Sequence, residues 1–222
     1  MNRVIQLLIL ALLLCAGSVF SDNSDFLKFT QQRANLGIAE DQYNLGTMYA
    51  NGEGVHKSYA EAASWYEKAA SQGYVQAQYH LAIAYFDGRG VVQDLSKAFE
   101  WSLAAAEQGY SAAQFNLGSL YDNGVGVPQD YARAIEWYQK AADQGYAAAQ
   151  FNLGTLCYDG LGVKQDYLEA YVWFSVAANS GFNGAEDYRR LTAENLNREA
   201  LEIGQRRASD LSSRIRSKRP RD

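Results

Sequence analysis

Catalysis needs titratable or nucleophilic side chains held near one another, and this chain of 222 residues offers few. General acid–base work calls for a group that titrates near the working pH, beside a positioned partner. The two histidines are His56 and His80. His56 falls in a glycine-rich turn and is expected in solvent. His80 falls on a helical segment with no serine and aspartate spaced to complete a Ser-His-Asp set. No run of His, Cys, Asp or Glu has metal-ligand spacing, and the carboxylates are spread along polar faces. The cysteines are Cys15, in an N-terminal apolar run, and Cys157, on a core position. Once the apolar leader is removed no intramolecular disulfide is possible, and Cys157 reads as an inert thiol. Paired glycines such as Gly124 and Gly126 copy only the first two glycines of a phosphate loop. No strand precedes them, and neither a third glycine nor a Lys-Ser/Thr follows. The expectation is no catalytic residue, no cofactor and no metal, hence not an enzyme.

What holds these residues is a repeat. Gln42, Gln78, Gln114 and Gln150 are each 36 residues apart, as are Trp65, Trp101, Trp137 and Trp173 and the glycines Gly37, Gly73, Gly109, Gly145 and Gly181. A period of this size marks a stacked array of supersecondary units. Within residues 110–145, Ala113, Leu117, Leu120 and Tyr121 share one face of a first helix. Gly118 sits on that helix at a cost of roughly 1 kcal/mol against alanine. Its counterparts Gly46, Ala82 and Gly154 are also small, so another helix is expected to cross closely. Gly124 stands where a left-handed residue closes a helix, and the valines Val55, Val91, Val127 and Val163 are expected to plug the turn from beneath. Ser58, Asp94, Asp130 and Asp166 are N-cap types that open a second helix. Ala134, Trp137, Tyr138 and Ala141 give that helix its apolar face, and the tryptophan stripe reads as core.

With L-G-x-x-Y on the first helix, G-x-G-V in the turn, D-x-x-x-A-x-x-W-Y/F on the second and A-A-x-Q-G at its end, the repeats resemble the Sel1-like repeat, a relative of the tetratricopeptide repeat. The resemblance implies an all-α, right-handed α/α superhelical solenoid. It covers residues 22–181, and the departures are Cys157 for tyrosine, Ala82 for glycine and Ser102 for the second aromatic. Residues 22–37 read as an N-terminal capping half repeat, followed by repeats at 38–73, 74–109, 110–145 and 146–181. Residues 182–216 read as C-terminal capping helices, drawn as one over residues 182–191, a cap at Thr192 and a long helix from Glu194. Residues 217–222 read as a disordered basic tail.

Residues 1–21 carry one basic residue, an apolar run from Val4 to Cys15 and then small residues, the pattern of a secretory signal peptide. This predicts export to the periplasm or beyond, with no stable membrane insertion after cleavage. From Asp22 to Asp187 there are 20 acidic and 9 basic residues, and from Arg189 to Asp222 there are 10 basic and 5 acidic. A basic helix lying against an acidic array accounts for that asymmetry, so no nucleic acid is expected.

By resemblance to tetratricopeptide repeats, the residues just before the first-helix leucine face a concave groove. Here they are Tyr43 and Asn44, Tyr79 and His80, Phe115 and Asn116, Phe151 and Asn152. Two roles are open for the rings, anchoring a partner or packing between neighbouring repeats, and the asparagines could tie down local backbone instead. The leading function is a non-catalytic protein-protein interaction scaffold of the envelope, or secreted, that binds a peptide or protein. The alternatives are an envelope enzyme acting on peptidoglycan-like material, as relatives imply, and a structural spacer in an assembly.

Overall fold

The computed structural model describes residues 23–218; the expected signal peptide and the last four residues lie outside that range. Among the described residues there are eleven helices and no strand. They fall into two compact units that divide between Tyr74 and Val75.

The first unit holds α1 (Asn23–Asn35), α2 (Ala39–Asn51) and α3 (Tyr59–Ala70). Its core is Ala34, Leu45 and Met48, with Leu27, Tyr49, Val55 and Trp65 packed around them. The Arg33 guanidinium donates to Asp41 at 2.7 Å and ties α1 to α2.

The second unit holds α4 (Val75–Asp87), α5 (Leu95–Glu107), α6 (Ser111–Asn123), α7 (Tyr131–Asp143), α8 (Ala147–Asp159), α9 (Tyr167–Asn179), α10 (Ala185–Ala193) and α11 (Arg198–Lys218). First and second helices pair as hairpins, α4 with α5, α6 with α7 and α8 with α9, and each pair packs on the next. The core runs through Ala113, Leu117, Ala134, Tyr138, Leu153 and Val176.

The helix ends are set chemically, as expected. The side chains of Ser58, Asp94, Asp130 and Asp166 accept from the amides of Glu61, Lys97, Arg133 and Glu169. First helices close on left-handed glycines; the Gly124 amide, at φ 66°, donates to the Leu120 carbonyl. The second glycine of the turn has a separate reason. A Cβ on Gly126 (φ 74°) would lie 2.6 Å from the Leu95 carbonyl oxygen, and one on Gly162 2.5 Å from Tyr131 Cβ. These two turns therefore press against the start of the previous repeat's second helix, and only glycine leaves room.

Several expectations need correction. The deepest aromatic of the second helix is the residue after the tryptophan: Tyr138 and Phe174 are fully buried, whereas Trp65, Trp101 and Trp137 are half-buried and only Trp173 is enclosed. Val163 stays exposed instead of plugging its turn. Thr192 is not a cap: it is fully buried and its hydroxyl donates back to the Tyr188 carbonyl at 2.6 Å. Asn197 caps α11, its Oδ1 accepting from the Ala200 amide at 2.8 Å. The helix drawn from residue 182 begins at Ala185 because Phe182 is held elsewhere, stacked on Phe151 at 4.7 Å. Helix α11 runs through Lys218, so Ser217 and Lys218 belong to it. It lays Gly204, Ala208, Ser212 and Ile215 inward, packs on α9, and sets Arg207 2.5 Å from Glu169.

Candidate functional site

The residues just before each first-helix leucine all sit half-buried. In the first unit Tyr43 and Asn44 lie on α2, and the Tyr43 ring packs 5.8 Å from Tyr66 and 5.3 Å from Tyr74. In the second unit Tyr79 and His80 lie on α4, Phe115 and Asn116 on α6, and Phe151 and Asn152 on α8. Their rings continue one pattern. Tyr79 meets Tyr110 at 5.1 Å, Phe115 meets Tyr146 at 5.0 Å, and Phe151 meets Phe182 at 4.7 Å. Each ring packs on the aromatic that leads into the next repeat, so it helps to join repeats while keeping part of its surface in water. Aromatic pairs at such distances contribute about 0.5–1.5 kcal/mol beyond their burial.

The amides are engaged too. Asn116 hydrogen-bonds Tyr79, and Asn152 hydrogen-bonds Tyr138. The Tyr138 hydroxyl donates to Asp122 Oδ2 at 3.0 Å. Burial, then the Asp122 carboxylate, pushes the Tyr138 pKa well above the usual phenol range, and burial raises Asp122 against the opposing pull of that hydrogen bond. His80 packs edge-on to Tyr79 at 5.4 Å, and burial holds its imidazole below the usual value, so it is neutral at pH 7.

Chemistry elsewhere follows the residue types. Cys157 is half-buried against the core, and its thiol is pushed up to about 11, first by burial and then by the carboxylates of Glu169 and Asp166. A thiol so seldom ionised is a poor nucleophile. Among the described residues, no group of three His, Cys, Asp or Glu is placed to hold a metal, and no helix is long and apolar enough to cross a membrane.

The recurring glutamines, which carried no role in the sequence, prove to be buried ties between repeats. Gln114 Nε2 donates to the Ala106 carbonyl at 3.2 Å, and Gln150 Nε2 to that of Ala142 at 3.1 Å. Their carbonyl oxygens are served by a second glutamine 30 residues on: Gln72 for Gln42, Gln108 for Gln78 and Gln144 for Gln114, at 2.7, 2.7 and 2.8 Å. In the fourth repeat Ser180 stands at that place, and the buried Gln150 Oε1 is left without a partner. The signal was present in the sequence as two glutamine series with one break.

One departure among the repeats changes the space inside. A Cβ on Gly46, Gly118 or Gly154 would lie 2.8, 2.6 or 2.7 Å from the ring of Tyr66, Tyr138 or Phe174 respectively. Each ring thus fills the notch its glycine leaves. The second repeat has Ala82 and Ser102 at these positions, and between α4, α5 and α6 there is a cavity of about 130 Å³. It is lined by Ala82, Ile83, Phe86, Ala98, Ser102, Asn116, Ser119 and Leu120.

Paired helices of 12 or 13 residues, joined by caps and glycine turns that recur every 36 residues, define an α/α repeat protein of the solenoid class. Residues 39–74, 75–110, 111–146 and 147–182 each match the Sel1 repeat, and the chain belongs to the Sel1 repeat family. The crystal structure of a Sel1 repeat protein from Oxalobacter formigenes is similar, with a TM-score of 0.74 at 26% identity over 85% of this chain and 77% of that one. A protective antigen present in uropathogenic Escherichia coli strains, displaying an SLR fold, aligns with a TM-score of 0.55 at 29% identity over 92% of this chain and 53% of that one. No curated protein gives a significant match. Sel1 repeats are commonly protein-interaction scaffolds and generally non-catalytic.

Proposed function

We propose that this chain is a non-catalytic scaffold that works outside the cytoplasm, in the cell envelope or after secretion, and holds a peptide or protein on the face carried by its first helices. The observation behind this reading is the row Tyr79, His80, Phe115, Asn116, Phe151 and Asn152 in the second unit, which repeats a half-exposed ring beside a polar group at a fixed interval. Tyr43 and Asn44 offer the same pair in the first unit. The rings are already braced by Tyr110, Tyr146 and Phe182, so little side-chain entropy is left to lose on binding. Aromatic anchors set among hydrogen-bonding groups are the usual make-up of binding hot spots. The support for export is the leader pattern of residues 1–21.

The test is a photo-crosslinking residue of similar shape, p-benzoyl-phenylalanine, installed in place of Phe115, so that the packing position keeps an aromatic. The same residue in place of the exposed Glu136, on α7, is the control. A partner captured from position 115 and not from 136 supports the face; capture from 136 alone moves the interface to the second helices. The mass of the processed chain checks export, since cleavage after Ser21 or Ser18 leaves distinct N-termini.

A further inference from the structure

The second repeat lacks a ring that its siblings have. Around Tyr138 in the third repeat stand Phe115, Asp122, Ser119 and, from the following repeat, Asn152. Thirty-six residues earlier these positions are Tyr79, Phe86, Ile83 and Asn116, and the last three line the cavity beside Ser102. The cavity therefore occupies the space that Tyr66, Tyr138 and Phe174 fill in their own repeats. Its floor is well covered: Ala82, Ala98, Ser102 and Leu120 are all buried, whereas Phe86 is exposed at its rim. Its volume is close to that of a dry apolar cavity, about 150 Å³, known to admit benzene.

We propose that this cavity is a binding pocket for a single phenylalanine side chain of a partner peptide, which completes the second repeat as the chain's own rings complete the others. This rests on the scaffold reading above and adds the residue that is recognised. Phenylalanine is favoured over tyrosine because two of the three groups that meet the Tyr138 hydroxyl, Asp122 and Ser119, are replaced here by Phe86 and Ile83, and only the counterpart of Asn152, Asn116, remains. A phenol hydroxyl entering this pocket would give up water for fewer partners. The pocket adjoins the candidate face through Asn116, which belongs to both. Residues 75–143 around it carry eight carboxylates against four lysines and arginines, so basic residues flanking the phenylalanine suit the site.

The experiment titrates the full processed chain with the N-acetylated, C-amidated tripeptides Lys-Phe-Lys, Lys-Tyr-Lys and Lys-Ala-Lys and follows amide NMR signals. The expected result is that Lys-Phe-Lys shifts the signals of Ile83, Ser102 and Ser119, while Lys-Ala-Lys binds about ten- to hundredfold more weakly, the ratio that burial of one large apolar side chain gives. Lys-Tyr-Lys should fall between them. The double variant Ala82→Gly/Ser102→Phe supplies the missing ring from within, and it should melt higher than the parent and lose the Phe-dependent shifts. Equal binding of the Phe and Ala peptides by the parent chain overturns the proposal whatever the variant does. So does a folded double variant that still prefers phenylalanine. Neither result touches the scaffold reading, which the crosslink from position 115 tests on its own.

Discussion

Replacing Gly118 by alanine should destabilise the protein only while Tyr138 is present. The new Cβ would lie 2.6, 2.7 and 3.1 Å from Cδ1, Cε1 and Cγ of the Tyr138 ring, where ordinary contact begins near 3.4 Å. That ring is fully buried and its hydroxyl is bound to Asp122, so it has nowhere to move. Overpacking of this kind costs about 1–3 kcal/mol, and the better helix propensity of alanine returns about 1 kcal/mol. The expected net loss is about 1 kcal/mol, with a ceiling of about 2. Tyr138→Ser alone should cost about 3–5 kcal/mol, as other deletions of a buried aromatic do. On that background the clash is gone, and Gly118→Ala should stabilise by up to about 1 kcal/mol. The double-mutant cycle thus carries a coupling of about 1–3 kcal/mol and a change of sign. Urea melts followed by circular dichroism would measure all four corners. An identical effect of Gly118→Ala in both backgrounds would refute the notch-and-ring pairing and, with it, the reason given for the cavity at Ala82 and Ser102.

That pairing also shows where sequence reasoning reached and where it stopped. The helices, their caps and the 36-residue period were legible because each rests on a local rule: a Ser or Asp whose side chain accepts from the amide three residues on, or a glycine that closes a helix. Small residues at 46, 82, 118 and 154 announced a close crossing, but the crossing element is a ring 20 residues later, and no local rule names it. For the same reason the sequence marks the tryptophans, the most conspicuous residues of the repeat, as core without showing that the residue after each one is buried more deeply. The two glutamine series recur with the repeat, but no local rule pairs them, because their partners are carbonyls 8 residues back and side-chain amides 30 residues on. For the candidate face, the sequence placed rings and amides at the right interval but could not show that Tyr110, Tyr146 and Phe182 brace them. The C-terminal helices were blurred because the repeat ends there: Thr192 is a cap type by composition, yet it bonds backwards inside the core, and Asn197 caps the long helix instead.

Three further outcomes follow from named contacts. Ser180→Gln should serve the unpartnered Gln150 Oε1 as Gln144 serves Gln114, which adds about 1 kcal/mol and raises Tm by about 2–4 °C; an unchanged Tm would mean that the oxygen is already satisfied. Cys157, with a pKa pushed up to about 11 against an ordinary 9.0, should react with iodoacetamide at pH 8 about a hundredfold more slowly than a free thiol, and full reactivity in the folded chain would contradict its packing. The third concerns His80, whose imidazole is lowered from the model-peptide value of 6.5 by burial. The unfolded chain therefore binds a proton at His80 at a higher pH than the folded chain does, so stability rises with pH below about 6.5 and is lost on acidification, with a slope of at most about 1.4 kcal/mol per pH unit for one proton. This is the opposite sense to a histidine that gains a carboxylate partner, and it acts above the range in which most carboxylates titrate. His80→Asn restores the residue found at positions 44, 116 and 152 and should flatten the fall in Tm between pH 7 and pH 5. An equal or steeper fall in the variant would show that the proton is taken up elsewhere, and that burial of His80 does not set the acid sensitivity of the second repeat.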